Sequence, residues 1–266
     1  MRGMSKKNVI VGATFVGVLA TLGVAQSLME KAAAAQGKAA VQAPYFEVDP
    51  VWPKPLNKGW LYGNVIGVGV DNKDRVYIIH RGAATLDRKE AYAAQNPPMS
   101  ECCVAAPPVM VFDGPTGNFV AGWGGPGQGY EWPESNHGIH VDYKGNVWIG
   151  GNGEKDAQIL KFTRDGKFVM RVGKPGLPTG SNDTERLGRP ADMVVDPETN
   201  ELFVADGYAN RVLKVNLEGQ VLGSYGQYGK IPGRFDFIHH IAVDSQGNLY
   251  AAEIKNWRVQ KFAWQN

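Results

Sequence analysis

The sequence predicts an all-β fold, a β-propeller built from four repeated units. Two observations predict it. An apolar block ending in Val-Asp recurs four times, as IGVGVD at Asp71, HGIHVD at Asp142, ADMVVD at Asp196 and HHIAVD at Asp244. Each block is followed by a turn bearing Gly or Asn and then by a second apolar run. Four short strands per unit, repeated about every 40 to 50 residues, are typical of propeller blades.

The strands of each unit follow in chain order. The second apolar runs are VYII from Val76, VWIG from Val147, LFVA from Leu202 and LYAA from Leu249. Third and fourth strands are predicted over residues 158–173 and 211–226, whereas the last unit stops near Phe262 without an outer strand. We expect the β-rich segment 45–52, which precedes the first unit, to supply that strand and close the ring.

The first unit carries an insertion, residues 82–108, which we expect to form a loop over one face of the propeller. It contains the chain's two cysteines, the adjacent Cys102 and Cys103. In an oxidising compartment this pair favours a vicinal disulfide, and two free or buried thiols are the alternative.

The N-terminus resembles an export signal, because Arg2, Lys6 and Lys7 precede an apolar run over residues 9–25. We expect residues 1–36 to be a signal peptide or a membrane anchor, 37–44 a linker and 45–266 the propeller. Cleavage and anchoring both stay open, because the run is close to the length that spans a bilayer. The mature protein is expected in the periplasm or outside the cell, with membrane contact only through such an anchor.

The charge pattern excludes one class of partner. A formal net charge of +2 with 20% charged residues gives no broad basic surface, so nucleic acid is not expected to bind. A peptide or small molecule at the channel face is the expected ligand. No phosphate-cradling loop is found, which argues against a nucleotide-dependent enzyme.

Aligning the units on Val-Asp places Ile66, His137, Ala191 and His239 at one repeated position, five residues before each Asp. Equivalent positions of successive blades converge on the central channel, so His137 and His239 are candidate ligands of zinc. The alternative is that each His caps a strand or bonds a neighbouring carbonyl. A catalytic zinc usually has a third protein ligand, and the sequence does not identify one.

Two further residues end second strands near the loop face. Arg81 could bind a carboxylate through its guanidinium fork, or it could form a surface ion pair. Tyr208 could act as an acid or base if a metal or cation lowered its pKa. The alternative for Tyr208 is a packed aromatic ring whose hydroxyl bonds the backbone.

The motifs HRG (residues 80–82), HGIHVD, ADGYANR and FIHHIAVD occur in this order. Over about residues 45–262 the chain resembles NHL-repeat propellers, and in particular the peptidyl-α-hydroxyglycine α-amidating lyase branch. The resemblance implies that His137 and His239 bind zinc, Tyr208 is the base, Arg81 holds the substrate carboxylate and a calcium ion stiffens the ring.

Lyases of this branch have six blades, as do similar exported bacterial propellers that carry the same adjacent cysteines. The resemblance therefore implies that about two blades are missing between the Tyr208 unit and the last unit. A third zinc His and a second Arg would be missing with them. The first functional hypothesis is an exported propeller with a lyase-like metal site and peptidyl-α-hydroxyglycine lyase-type activity. The second is a non-catalytic propeller that binds proteins or ligands.

Overall fold

A computed structural model describes residues 24, 26, 27, 46–56, 59–86 and 103–263. The chain divides into two compact units, residues 1–49 and residues 50–266. In the first unit, residues 24, 26 and 27 are helical and residues 46–49 have no regular structure. The predicted linker and most of the predicted signal segment lie outside the described residues. Within the described ranges, no helix is long and apolar enough to span a membrane.

The strands found in the described ranges all belong to the second unit. In chain order they are β1 (Trp60–Leu61), β2 (Val65–Val70), β3 (Arg75–His80), β4 (Val104–Ala105), β5 (Val109–Asp113), β6 (Phe119–Trp123), β7 (Asn136–Val141), β8 (Val147–Gly151), β9 (Gln158–Phe162), β10 (Phe168–Gly173), β11 (Asp192–Asp196), β12 (Glu201–Asp206), β13 (Arg211–Asn216), β14 (Val221–Tyr225), β15 (Ile238–Val243), β16 (Leu249–Glu253) and β17 (Arg258–Phe262). Short 3₁₀ turns occupy Gly82–Thr85 and Gly207–Ala209.

The strands form four antiparallel sheets in sequence order. The first sheet is β2-β3-β5-β6, the second β7-β8-β9-β10, the third β11-β12-β13-β14, and the fourth has the three strands β15-β16-β17. A parallel pair, β1 with β4, lies beside them. The four predicted units are confirmed, each as a meander whose first strand carries the Val-Asp block.

Apolar layers fill the spaces between successive sheets. Because side chains alternate along a strand, Val147 faces the first sheet and its neighbour Trp148 faces the third. In the same way Leu202 packs toward the second sheet and Phe203 toward the fourth. The second strands β8 and β12 are buried on both faces, which explains why they read as continuous apolar runs.

The repeated Asp holds the turn between the first two strands of each unit. In the second unit Asp142 Oδ1 accepts hydrogen bonds from the backbone N–H of Lys144 (2.9 Å) and Asn146 (2.8 Å). Asp142 Oδ2 accepts one from the indole Nε1 of Trp148 (2.9 Å). Asp244 is bonded in the same pattern by Gln246, Asn248 and Tyr250. The Val-Asp signature is therefore a folding element, and its Asp residues are not part of a site.

Hydrogen-bonded closure of the ring by the N-terminal segment is not detected among the described residues. Residues 46–56 form no strand, and the fourth sheet keeps three strands. Trp52 instead donates its indole N–H to the Gly114 carbonyl (2.8 Å) and packs on Phe112, with ring centroids 6.0 Å apart. Together with Leu56, Trp60 and Tyr62 it covers the outer face of the first sheet. This face is richly aromatic, which explains why the tryptophan binds there.

The insertion at 82–108 is described only in part. Residues 87–102 lie outside the described ranges, and strand β4 follows them. Because Cys102 falls among those residues, its disulfide with Cys103 stays a prediction.

Candidate functional site

Two imidazoles face each other at the inner ends of the second and fourth sheets. His137 lies on β7 and His239 on β15, and their ring centroids are 5.1 Å apart at an interplanar angle of 80°. Both rings are partly exposed. The structure thus brings together two side chains that are 102 residues apart in the chain and share a repeated position in the sequence.

The backbone of the third sheet fixes the His137 ring. His137 Nδ1 lies 2.8 Å from the carbonyl oxygen of Ala191, the residue that occupies the same repeated position in the third unit. A carbonyl only accepts, so Nδ1 must carry the proton and Nε2 has the free lone pair. The alternative predicted for His137, a hydrogen bond to a neighbouring carbonyl, therefore applies to Nδ1. Nε2 is left to bind a ligand.

The surroundings of His239 favour its neutral form. Burial lowers its pKa below the usual histidine value, and the positive charges of His137 and His240 when protonated lower it further. Phe237 stacks on His239 at 6.2 Å with an angle of 23°. Neutral imidazole is the form that binds a metal ion.

Tyr208 lies on the 3₁₀ turn after β12, and 45% of its surface is exposed. Its ring contacts Phe237 edge-on, with centroids 4.5 Å apart, and the guanidinium carbon of Arg189 lies 4.6 Å from its ring centroid. A Cβ on the neighbouring Gly207 would lie 2.7 Å from the Ile238 carbonyl oxygen. Only glycine allows this close approach of the turn to the fourth sheet.

These contacts form a continuous row of rings, which we call the aromatic row: Tyr208, Phe237, His239 and His137. It runs from the third sheet through the fourth to the second. This partly exposed row, in which the rings meet edge-on at both ends and stack at the centre, can contact a planar or peptide-like ligand.

Arg81 follows strand β3 of the first sheet, and its guanidinium reaches Asn136, the residue before His137. Its Nε donates to the Asn136 carbonyl (3.2 Å) and its Nη2 to Asn152 Oδ1 (3.3 Å). The Asn136 amide in turn donates to the His80 carbonyl (2.7 Å). Arg81 therefore ties the first blade to the second, and part of its guanidinium fork is already used.

The other histidines have separate structural partners. The buried His80 accepts from the backbone N–H of Gly63 and Gly82 and donates Nε2–H to the Pro107 carbonyl. His140 Nε2 accepts from Val195 N, and His240 Nδ1 pairs with Asp192 at 3.0 Å.

Across the described part of the chain, no group of three or more His, Cys, Asp or Glu residues could hold a metal ion. A third metal ligand is therefore not found there.

Sequence reasoning missed Arg189 and Phe237. Both adopt positive φ angles, +55° and +62°, which nothing in their residue types signals. Phe237 precedes strand β15, so the alternation of side chains along a strand does not reveal its contact with His239.

The successive antiparallel meanders and the repeated Val-Asp turns define a β-propeller. The chain is similar to NHL-repeat proteins. NHL repeat-containing protein 3 of Mus musculus is 28% identical over 232 residues, covering 84% of this chain and 58% of its own length. Peptidyl-glycine alpha-amidating monooxygenase B of Xenopus laevis is 28% identical over 233 residues, covering 83% of this chain and 25% of its own length. The chain thus spans about half of the first relative and a quarter of the second.

No family model matches the chain. Among solved structures, a Bacteroides thetaiotaomicron protein of unknown function superposes with a TM-score of 0.52 at 16% identity, over 76% of this chain and 47% of its own. At that identity the likeness concerns the fold alone.

Proposed function

We propose that this chain is an exported NHL-type propeller that holds zinc through His137 and His239 and cleaves a peptidyl-α-hydroxyglycine beside Tyr208. The observation that carries the proposal is the pair of facing imidazoles, 5.1 Å apart, contributed by two different blades. Export rests on the charged and apolar N-terminal sequence, and the calcium ion implied by resemblance stays a prediction.

The residues fit part of a zinc site. A ligating histidine commonly donates its other ring N–H to a backbone carbonyl, as His137 does to Ala191. The pair supplies two of the three protein ligands usual at a catalytic zinc, and water or the ligand itself would take the remaining positions. When bound, zinc would supply a Lewis acid that polarises an oxygen atom of the ligand.

In this proposal Tyr208 moves the proton. Its ionised phenolate oxygen would take the proton of the α-hydroxyl group as the carbon–nitrogen bond breaks and the α-carbon becomes the aldehyde of glyoxylate. The resulting phenol would return that proton to the departing amide nitrogen, so that the products are a peptide amide and glyoxylate. The similarity to amidating monooxygenases supports this class of substrate, although the match covers a quarter of the Xenopus enzyme.

The second candidate is a non-catalytic propeller that binds a peptide or a protein on the same face. Two observations favour it: among the described residues no third metal ligand accompanies the histidine pair, and Arg81 is bonded to Asn136 and Asn152. Glyoxylate release distinguishes the two candidates.

The activity test uses zinc-loaded protein, a peptidyl-α-hydroxyglycine and a glyoxylate assay. Tyr208→Phe removes only the hydroxyl group, so we expect glyoxylate release to fall by about a hundredfold or more. Tyr228→Phe, in an exposed loop, is the matched control and should keep the wild-type rate. A Tyr208→Phe variant as fast as the wild type would reject the base. Absence of release from the wild type would select the non-catalytic candidate.

A further inference from the structure

Arg189 adopts a backbone conformation that its sequence disfavours. Its φ is +55°, in the left-handed region that costs free energy for any residue with a Cβ. The following residue is Pro190, which by itself pushes the preceding residue toward extended backbone. Residues held in such conformations persist only where their surroundings impose them, and they cluster at ligand-binding sites.

The surroundings of Arg189 are rigid. The N–H of Gly188 donates to the fully buried carboxylate of Asp206, and the Gly188 carbonyl accepts the N–H of Tyr208 at 2.9 Å.

On the C-terminal side of Arg189, the Ala191 N–H donates to the Ala205 carbonyl (2.9 Å) and the Ala191 carbonyl accepts from His137. The segment that carries Arg189 is therefore bonded both to the tyrosine turn and to the histidine pair.

The guanidinium group has no acidic partner in the described part of the chain. The guanidinium carbon lies over the face of the Tyr208 ring, and the Arg189 side chain is half-buried. Lys255, another cation beside the aromatic row, has its Nζ 6.0 Å from the centroid of the Phe237 ring and 3.9 Å from the carboxylate of Asp236. Arg189 is thus the cation at the aromatic row whose charge is uncompensated.

We propose that Arg189 is the carboxylate-binding residue of this face. Stacked on Tyr208, the guanidinium presents a planar fork of N–H donors, which matches the two oxygens of a carboxylate. A ligand with a carboxylate next to a planar group would place the planar group on the aromatic row and its charge on Arg189. This inference rests on the proposed function, and it assigns to Arg189 the role that the sequence suggested for Arg81.

The test uses hippurate, which pairs a carboxylate with an amide and a phenyl ring and has no α-hydroxyl to react. Its uncharged counterpart is hippuramide. Binding of both to the zinc-loaded protein is measured by calorimetry or by NMR titration. For Arg189→Gln we expect hippurate affinity to fall about tenfold or more and hippuramide affinity to stay unchanged. Arg171→Gln, at an exposed arginine of β10, is the matched control and should leave both affinities at the wild-type value, and Arg81→Gln tests the competing assignment.

A second variant separates binding from folding. Glycine takes a φ of +55° without penalty, so Arg189→Gly should melt within about 2 °C of the wild type or above it, while losing hippurate affinity as Arg189→Gln does. A large drop in melting temperature with unchanged hippurate affinity would show a structural role and overturn the inference.

Two further outcomes would also overturn it: hippurate binding that depends on Arg81 and not on Arg189, or no hippurate binding by the wild type. In either case zinc stoichiometry, measured separately, still decides the proposed metal site. Failure of the inference is therefore distinguishable from failure of the proposed function.

Discussion

At His137 and His239, the proposed chemistry depends on keeping both imidazoles neutral. The Ala191 carbonyl fixes the proton of His137 on Nδ1, and burial holds the pKa of His239 below its usual value. A metal ion competes with protons for imidazole nitrogen, so a lowered pKa extends metal binding to lower pH. If the pair holds a metal as proposed, the lowered pKa of His239 would favour retention of that metal as the pH falls.

His239 in the metal-free protein should titrate below about pH 6.5, the ordinary histidine value. Replacing the exposed His240 by Ala removes one nearby positive charge, so the pKa of His239 should rise. Asp192 acts in the opposite direction and is unchanged in this variant. NMR titration of the ring protons measures both values, and a His239 that titrates above pH 6.5 would contradict the environment described.

Part of the site could be predicted at this scale and part could not. The histidine pair was visible because repeated units place equivalent residues at equivalent positions, so aligning the units needed no structure. Arg189 and Phe237 were hidden, because their role depends on backbone angles imposed by contacts with Asp206, Tyr208 and Asn210. Those contacts join segments that are distant in the sequence.

The third and fourth units share a device that we call the arginine clamp, an acidic residue and an Arg five positions later. Asp206 pairs with Arg211 at 2.8 Å, and Glu253 pairs with Arg258 at 2.6 Å. Each guanidinium also donates to backbone carbonyls of the preceding inter-sheet loop: Ser181, Asp183 and Arg186 for Arg211, and Lys230, Ile231 and Arg234 for Arg258. The clamps fasten loops that carry no regular structure.

The first clamp also supports the site, because Asp206 accepts the Gly188 N–H beside Arg189. Burial raises the pKa of Asp206 to about 6, while Arg211 acts to lower it. Asp206 therefore remains ionised at neutral pH and holds Arg211, which is 4% exposed, as a compensated buried charge.

Asp206→Asn leaves Arg211 buried without its countercharge, so the free energy of unfolding should fall by about 3–5 kcal/mol. Glu253→Gln is the matched control. Its partner Arg258 has 25% of its side chain exposed, so solvent screens that charge and the loss should be smaller, about 1–2 kcal/mol. Urea unfolding at neutral pH measures both, and equal losses would contradict the role assigned to burial.

The strands were predictable because their pattern is local: apolar runs, turn residues and a fixed repeat. The strand pairs over residues 158–173 and 211–226 fall where the sequence placed them, as β9 with β10 and β13 with β14. The loop contacts of the clamps could not be predicted, because the loop carbonyls that Arg211 and Arg258 bind have no sequence signature.

On the scale of the whole molecule, the N-terminal segment is the main difference from expectation. The missing outer strand suggested that residues 45–52 close the ring, yet Trp52 packs on the first sheet beside Phe112. Such an N-terminal segment can either pair with the edge of a sheet or pack on an apolar face. On the first sheet the Trp52 indole has both an apolar surface and a carbonyl acceptor, and it packs there.

Trp52→Ala should lower the free energy of unfolding by about 2–4 kcal/mol, because it removes a large aromatic contact and leaves the Gly114 carbonyl without its donor. Val48 is 90% exposed, so Val48→Ala should change stability by less than about 0.5 kcal/mol. A ring-closing strand over residues 45–52 would instead bury Val48. Chemical denaturation of both variants distinguishes the two arrangements, and a large loss for Val48→Ala would favour closure.

The central claim is that two blades of this propeller together hold a metal ion, and zinc stoichiometry tests it most directly. After equilibration with zinc and removal of the excess at neutral pH, the wild type should retain about one zinc ion per chain. The His137→Ala/His239→Ala double variant should retain less than about 0.1. A wild type that holds less than about 0.1 zinc per chain, or a double variant that holds as much zinc as the wild type, would contradict the metal site.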